Sequence, residues 1–177
     1  MKFMIASDIH GSALYCRELI SAFEREAPCR LALLGDLLYH GPRNDLPDGY
    51  DPKGVINMLN PLSDKLLCVR GNCDAEVDSM VLKFPMMADY AVLCLSDRLC
   101  FLTHGHQSAP PLGRGDILIQ GHTHIPSWTP FGDGNLCLNP GSVSIPKENS
   151  PRGYMLLDEH TAVWKTLGGE EYHTLAL

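Results

Sequence analysis

Polar, glycine-rich junctions interrupt the chain at short intervals, and the apolar positions between them follow two different periods. Residues 3–7 read as a strand. Ser12 then opens a helix, with Leu14, Leu19, Ile20 and Phe23 at helix-compatible spacing and Pro28 beyond its end. The apolar run 31–34 predicts a buried strand, followed by a loop over 35–52 rich in Gly, Pro and Asp. That loop is longer than structureless connections usually are, which marks it as a candidate for function. A weaker helix is expected over 55–59, a short one between 75 and 83, and strands over 65–69, 90–95, 99–102 and 116–119. Beyond Ser127 the pattern turns to short strands, at 128–130, 136–138, 154–157 and 162–166, joined by turns such as Asp133-Gly134 and the Asp158 to His160 segment. A β/α first half followed by a mostly β second half predicts an α/β (α+β) fold with two sheets packed face to face and helices outside. With no internal repeat and no linker composition, residues 1–177 are expected to form one domain.

Composition narrows the class. A chain of 177 residues with 45% hydrophobic and 20% charged content has the make-up of a globular domain with its own core. The apolar run at the N-terminus ends at Ser7-Asp8, short of the roughly 7 to 15 residues of an export signal. No apolar run approaches the roughly 20 residues needed to cross a bilayer. A soluble, cytoplasmic protein without a membrane partner is expected. The seven cysteines are odd in number, contain no C-x-x-C pair and mostly sit in apolar runs, so they read as reduced thiols, not disulfides or a thiolate zinc site. A net charge of −7 disfavours a nucleic-acid partner bound through its phosphates. It leaves an anionic small molecule open, because bound divalent cations can reverse the local field.

The chemistry gathers where strands end. Five predicted strands are followed within a few residues by Asp, Asn or His beside a glycine: Asp8-Ile9-His10-Gly11, Gly35-Asp36, Gly71-Asn72-Cys73-Asp74, His104-Gly105-His106 and Gly121-His122-Thr123-His124. Glycine permits tight turns and close backbone approach. Carboxylate and amide oxygens mixed with imidazole nitrogens suit Mn²⁺, Fe²⁺ or Zn²⁺. Four His, two Asp and one Asn exceed the needs of one ion, so two ions sharing one carboxylate is the economical arrangement.

The order of these pieces resembles the calcineurin-like metallophosphoesterase superfamily, whose pattern runs D-x-H, G-D, G-N-H-D/E, H and G-H-x-H. Residues 6–12, 40–44, 70–74 and 139–147 are similar in particular to the YfcE-type bacterial phosphodiesterases. The resemblance implies a four-layer αββα sandwich and two divalent ions, with Mn²⁺ the common activating ion and Zn²⁺, Fe²⁺ or Ni²⁺ as alternatives. It assigns Asp8, His10 and His124 to one ion, Asn72, His104 and His122 to the other, and Asp36 as the bridge. It implies hydrolysis of small or aryl phosphodiesters, in which a metal-bound hydroxide attacks phosphorus in line, and a homo-oligomer. Asp36, Asn72, Cys73, Asp74 and Arg43 are the candidate catalytic residues, with Arg43 contacting a phosphate oxygen. His106 is a candidate support for the metal ligands. The chain departs from the wider pattern at Cys73, where most of the superfamily has the His thought to protonate the leaving oxygen. The alternatives are a phosphomonoesterase or nuclease on the same scaffold, or a non-catalytic interaction scaffold like the retromer subunit Vps29.

Overall fold

The computed structural model describes residues 1–177. Strands β1 (Phe3–Ala6), β2 (Arg30–Leu33) and β3 (Leu66–Cys68) run parallel. Strands β9 (Gly153–Leu157), β10 (Thr161–Thr166) and β11 (Glu171–Ala176) continue the sheet antiparallel beyond β1, giving the order β11-β10-β9-β1-β2-β3. The second sheet has the order β4-β5-β6-β8-β7, from β4 (Tyr90–Leu95), β5 (Arg98–Thr103), β6 (Ile117–Gln120), β7 (Ser127–Phe131) and β8 (Asn135–Asn139). Its middle strands β5, β6 and β8 are parallel, and an antiparallel strand closes each edge.

The period of two in β1 explains the layering. Phe3 and Ile5 join a cluster with Leu102, Ile117, Ile119, Leu138 and Trp164 between the two sheets. Met4 and Ala6 point the other way, into a cluster with Leu19, Phe23, Val55 and Leu59 from helices α1 (Ala13–Glu26) and α2 (Pro52–Leu59). A strand buried on both faces must be apolar throughout, as Phe3-Met4-Ile5-Ala6 is. The sheets therefore meet face to face, as expected, and both α-helices cover the outside of the first. The outer face of the second sheet leaves Tyr90, Val92 and Leu99 exposed.

Helix α1 starts at Ser12, whose hydroxyl accepts from the Tyr15 N–H at 3.3 Å, and it ends at Ala27, a left-handed residue. Its buried face is Ala13, Cys16, Leu19, Ala22 and Phe23, while Leu14 is exposed, so the face is rotated from the predicted one. The predicted helix between 75 and 83 is a single 3₁₀ stretch, Glu76–Met80. The long loop after β2 is pinned at its far end: Ala13 N–H donates to Gly49 O (2.9 Å), Asp51 N–H to Gly11 O (2.8 Å) and Ser12 Oγ to Asp48 O (2.6 Å).

Candidate metal centre

All the candidate donors leave the carboxyl ends of parallel strands: Asp8 and His10 after β1, Asp36 after β2, Asn72 after β3, His104 after β5, and His122 and His124 after β6. Ladder-like pairing continues past the strand ends. His10 N–H donates to Asp36 O at 2.8 Å and Gly11 N–H to Leu37 O at 2.8 Å, which fixes the first two loops against each other. Gly71 packs so tightly on Asp36 that a β-carbon there would overlap its carboxylate. Five of the candidate donors, Asp8, His10, Asp36, His122 and His124, have left-handed backbone, with φ between 48° and 67°. Non-glycine residues seldom adopt this conformation, at a cost of order 1 kcal/mol or more each, and such strain gathers where a site is over-determined by its surroundings.

Three of the four imidazoles are held by their far nitrogens. Nδ1 of His10 meets Tyr39 O at 2.8 Å, Nδ1 of His104 meets Leu34 O at 2.7 Å and Nδ1 of His124 meets Ile145 O at 2.6 Å. A carbonyl accepts only, so each Nδ1 carries the proton and each Nε2 turns a lone pair inward. Those inward atoms crowd: His10 Nε2 lies 3.3 Å from His124 Nε2, and His104 Nε2 lies 3.2 Å from His122 Nδ1 and 3.1 Å from Asn72 Oδ1. Asp8 Oδ1 is 3.3 Å from His124 Nε2 and 3.5 Å from His10 Nε2. Asp36 Oδ2 is 3.6 Å from His10 Nε2 and 3.4 Å from His104 Nε2.

Facing donor atoms at these separations repel unless a proton or a metal ion lies between them. Coordination shells with bonds of about 2.1 Å have edges of about 3.0 to 3.4 Å, close to the spacings here. Asp8 Oδ1 is buried without a hydrogen-bond partner, an orphan that coordination would satisfy. Three-residue groups able to hold an ion are Asp8/His10/His124, Asp8/Asp36/His104 and His10/Asp36/Cys73. The residues present therefore fit divalent metal ions.

The carboxylates and imidazoles of the site also shift one another's protons. Burial works to raise the Asp36 pKa, but the hydrogen bond and charge of His104, the Cys73 N–H and His10 outweigh it and hold the carboxyl at about 2. Burial works against protonation of His104, yet bonding to Asp36 and the charge of Asp8 push it up to about 9. His124 is lowered by burial and, among its neighbours, by His10 and Lys147. His122 is lowered by burial and by His104.

Asp74, expected among the catalytic residues, makes different contacts. Its carboxylate is buried and accepts from the backbone N–H groups of Asp36 (2.8 Å), Leu37 (2.9 Å) and Gly71 (2.7 Å), so it ties the Asp36 loop to the Asn72 loop. Cys73 does face the donors: its N–H donates to Asp36 Oδ1 at 2.8 Å, and Asn72 Nδ2 lies 3.2 Å from its sulfur. Burial, and then the Asp36 carboxylate, push the thiol up to about 12. His106 lies beside the centre, its ring 5.3 Å from that of His104.

Sequence reasoning overlooked how residues 139–150 serve the site. Ser142 and Ser144 hydroxyls both donate to Asp8 O at 3.0 Å, Ile145 O anchors His124, and Asn139 Nδ2 donates to Gly121 O at 2.8 Å. Above the donors opens a cleft of ≈ 460 Å³ lined by Asp36, Arg43, Asn44, Cys73, Thr123 and Lys147 among others. Arg43 was expected here. Lys147 was not, although it closes the quoted segment 139–147.

A sheet-on-sheet fold with Asp, Asn and His donors converging from five loops defines a metallophosphoesterase, and residues 1–162 match the calcineurin-like phosphoesterase superfamily domain. The chain belongs to that family. It is 46% identical to phosphodiesterase YfcE of Escherichia coli strain K12 over 162 residues, covering 89% of this chain and 88% of that one. The solved structure of YfcE, a phosphoesterase from Escherichia coli, matches with a TM-score of 0.94 at 42% identity over 99% of both chains. The fold is also shared with Vps29 complexed with zinc from Entamoeba histolytica, at a TM-score of 0.65 and 22% identity over 99% of both chains.

Proposed function

We propose that the protein is a metal-dependent phosphodiesterase acting on small phosphodiesters at a dinuclear centre. Asp8, His10 and His124 would hold one ion, Asn72, His104 and His122 the other, and Asp36 both. The observation that carries this reading is Asp36 Oδ2, within 3.6 Å of His10 Nε2 and 3.4 Å of His104 Nε2, at the junction of the two donor groups. Such ions, when bound, make water a nucleophile near neutral pH and neutralise phosphoryl oxygens; Mn²⁺ is the first candidate, with Zn²⁺, Fe²⁺ and Ni²⁺ behind it.

The chain's own groups do the rest. The Nδ1-anchored imidazoles keep their lone pairs aimed without rearrangement, and Asp74 holds Asp36 in register through three N–H groups. The Cys73 thiol is not needed as a nucleophile where an ion-activated water fills that role. It is also a poor proton donor to a departing alkoxide, so diesters with acidic alcohols should react fastest. The phosphodiesterase YfcE supports the diester over the monoester. The −7 net charge disfavours a nuclease, and competent residues at all seven donor positions disfavour a non-catalytic scaffold. We further propose a cytoplasmic, single-domain protein that forms a homo-oligomer, with light scattering as the check on its size in solution. No helix is long and apolar enough to cross a membrane.

The test is metal content together with hydrolysis of bis-p-nitrophenyl phosphate at saturating Mn²⁺. Wild type is expected to bind about two ions per chain and turn over. Asp36→Asn should lose at least about 10³-fold in kcat, since the shared carboxylate loses its charge. Turnover of Asp36→Asn near wild type would sink the assignment.

A further inference from the structure

The cleft over the metal centre has a chemical character that phosphodiester hydrolysis alone does not require. No Phe, Tyr, Trp, Leu, Ile, Val or Met side chain lines it, so the only flat groups it offers a nucleobase or aryl ring are the imidazoles already assigned to the ions and the Arg43 guanidinium. It does present two long cations from separate loops, Arg43 after β2 and Lys147 after β8. The ion pairs made by the molecule's Lys and Arg side chains all involve Glu26, so no carboxylate neutralises either one.

Lys147 is placed by a built turn. Its N–H donates to His124 O at 3.2 Å, and its carbonyl accepts from Ser150 N–H (3.0 Å) and Ser150 Oγ (2.6 Å). The two residues inside that turn, Glu148 and Asn149, both have left-handed backbone, with φ of 52° and 57°. Asn tolerates this conformation, whereas Glu adopts it rarely and at a cost. This turn ties the backbone of Lys147 to that of a candidate metal ligand, so its exposed side chain starts from a fixed point on the rim of the cleft.

Charge counting shows the surplus. Two divalent ions against the carboxylates of Asp8 and Asp36 leave roughly +2, already enough for a singly charged diester and its attacking hydroxide. Arg43 and Lys147 add two further positive charges that the reacting phosphoryl group does not need.

We propose that Lys147 and Arg43 form a subsite for a second anionic group, so that the preferred substrate is a small phosphodiester whose non-aromatic alcohol itself carries a carboxylate or phosphate. This rests on the phosphodiesterase reading and specifies its substrate. Specificity comes from charge-assisted hydrogen bonds outside the reacting centre, with Arg43 able to engage the anion bidentately and Lys147 as a point charge.

The test holds the leaving group constant. kcat/KM is compared for p-nitrophenyl diesters whose second alcohol is propyl, 2,3-dihydroxypropyl, 2-carboxyethyl or 2-phosphonatoethyl. In wild type at least one anionic tail should gain about tenfold over propyl, mostly in KM, and the gain should shrink in high salt. Lys147→Met and Arg43→Met should each lose most of it, and whichever anionic tail gains more identifies the anion. The readout independent of turnover is calorimetric binding of bis(2-carboxyethyl)phosphinate against dipropylphosphinate, where a similar ratio of Kd values is expected in wild type and not in the variants. Equal rates and affinities for charged and uncharged tails, a dihydroxypropyl tail that outpaces both anions, or a charge preference unchanged in both variants would each overturn the proposal. Hydrolysis of bis-p-nitrophenyl phosphate without any tail preference would leave the phosphodiesterase reading standing and remove this one. If no ester were hydrolysed, the phosphodiesterase reading would fail and phosphinate binding would still decide the subsite.

Discussion

Asp74 shows how a motif can reveal a residue and conceal its task. The run Gly71-Asn72-Cys73-Asp74 announces polar chemistry, but a four-residue pattern does not say whether a carboxylate faces ions or backbone. Here it faces backbone, with three N–H groups from two loops converging on it. Asp74→Asn turns part of that acceptor into a donor and leaves buried N–H groups unpaired. The expected loss is about 2 to 4 kcal/mol in urea unfolding, with weaker metal retention, and an unchanged midpoint would show that the clamp is dispensable. Cys73 gives the opposite expectation. An ion-activated water is the nucleophile and a p-nitrophenolate leaving group needs little protonation, so Cys73→Ala should stay within about threefold of wild type on bis-p-nitrophenyl phosphate. A collapse in rate there would restore the sulfur to the chemistry. The donors were legible because strand ends, glycines and ligand types coincide. Lys147 was not, because nothing in sequence marks which exposed lysine a distant turn will aim into a cleft.

Among elements, the clearest miss is β11. Its sequence Glu171-Tyr172-His173-Thr174-Leu175-Ala176 is largely polar, since it is an edge strand half in solvent, and its pairing with β10 is broken by an irregularity at Trp164/Lys165. Hydrophobic alternation is a weak signal for such a strand. The buried strands β1 and β9 were plain because both their faces are covered. Helix α1 was found with its face turned, because small residues such as Ala13 and Ala22 pack closest while Leu14 reaches solvent. The end of that helix carries a testable charge. Glu26 accepts from Lys165 Nζ and from Tyr154 OH, both at 2.9 Å, joining α1 to β10 and β9. Burial would raise its pKa, but bonding to Lys165 and Tyr154 prevails and lowers it below the ordinary 4.5. A depressed carboxylate contributes stability above its unfolded pKa and loses it as pH falls through the folded value. Glu26→Gln should therefore be less stable than wild type by about 1 to 2 kcal/mol at pH 7, and the gap should close below 4.5. A gap that persists or widens in acid would contradict this linkage.

For the molecule as a whole, the first sheet supplies Asp8, His10, Asp36 and Asn72, and the second supplies His104, His122 and His124. Ions held by both add to global stability by mass action. At free metal 100 to 1,000 times Kd the gain is about 2.7 to 4.1 kcal/mol, so stripping with EDTA should lower Tm by roughly 5 to 15 °C, and re-addition of Mn²⁺ should restore it. An unchanged Tm would mean the donors hold nothing of consequence. The site straddles the two layers, its donors running from Asp8 to His124 at one end of an interior closed around Ile5, Leu102, Ile119 and Trp164. An ion held there would work as a rivet, arresting shear between layers that the apolar interior couples only by contact.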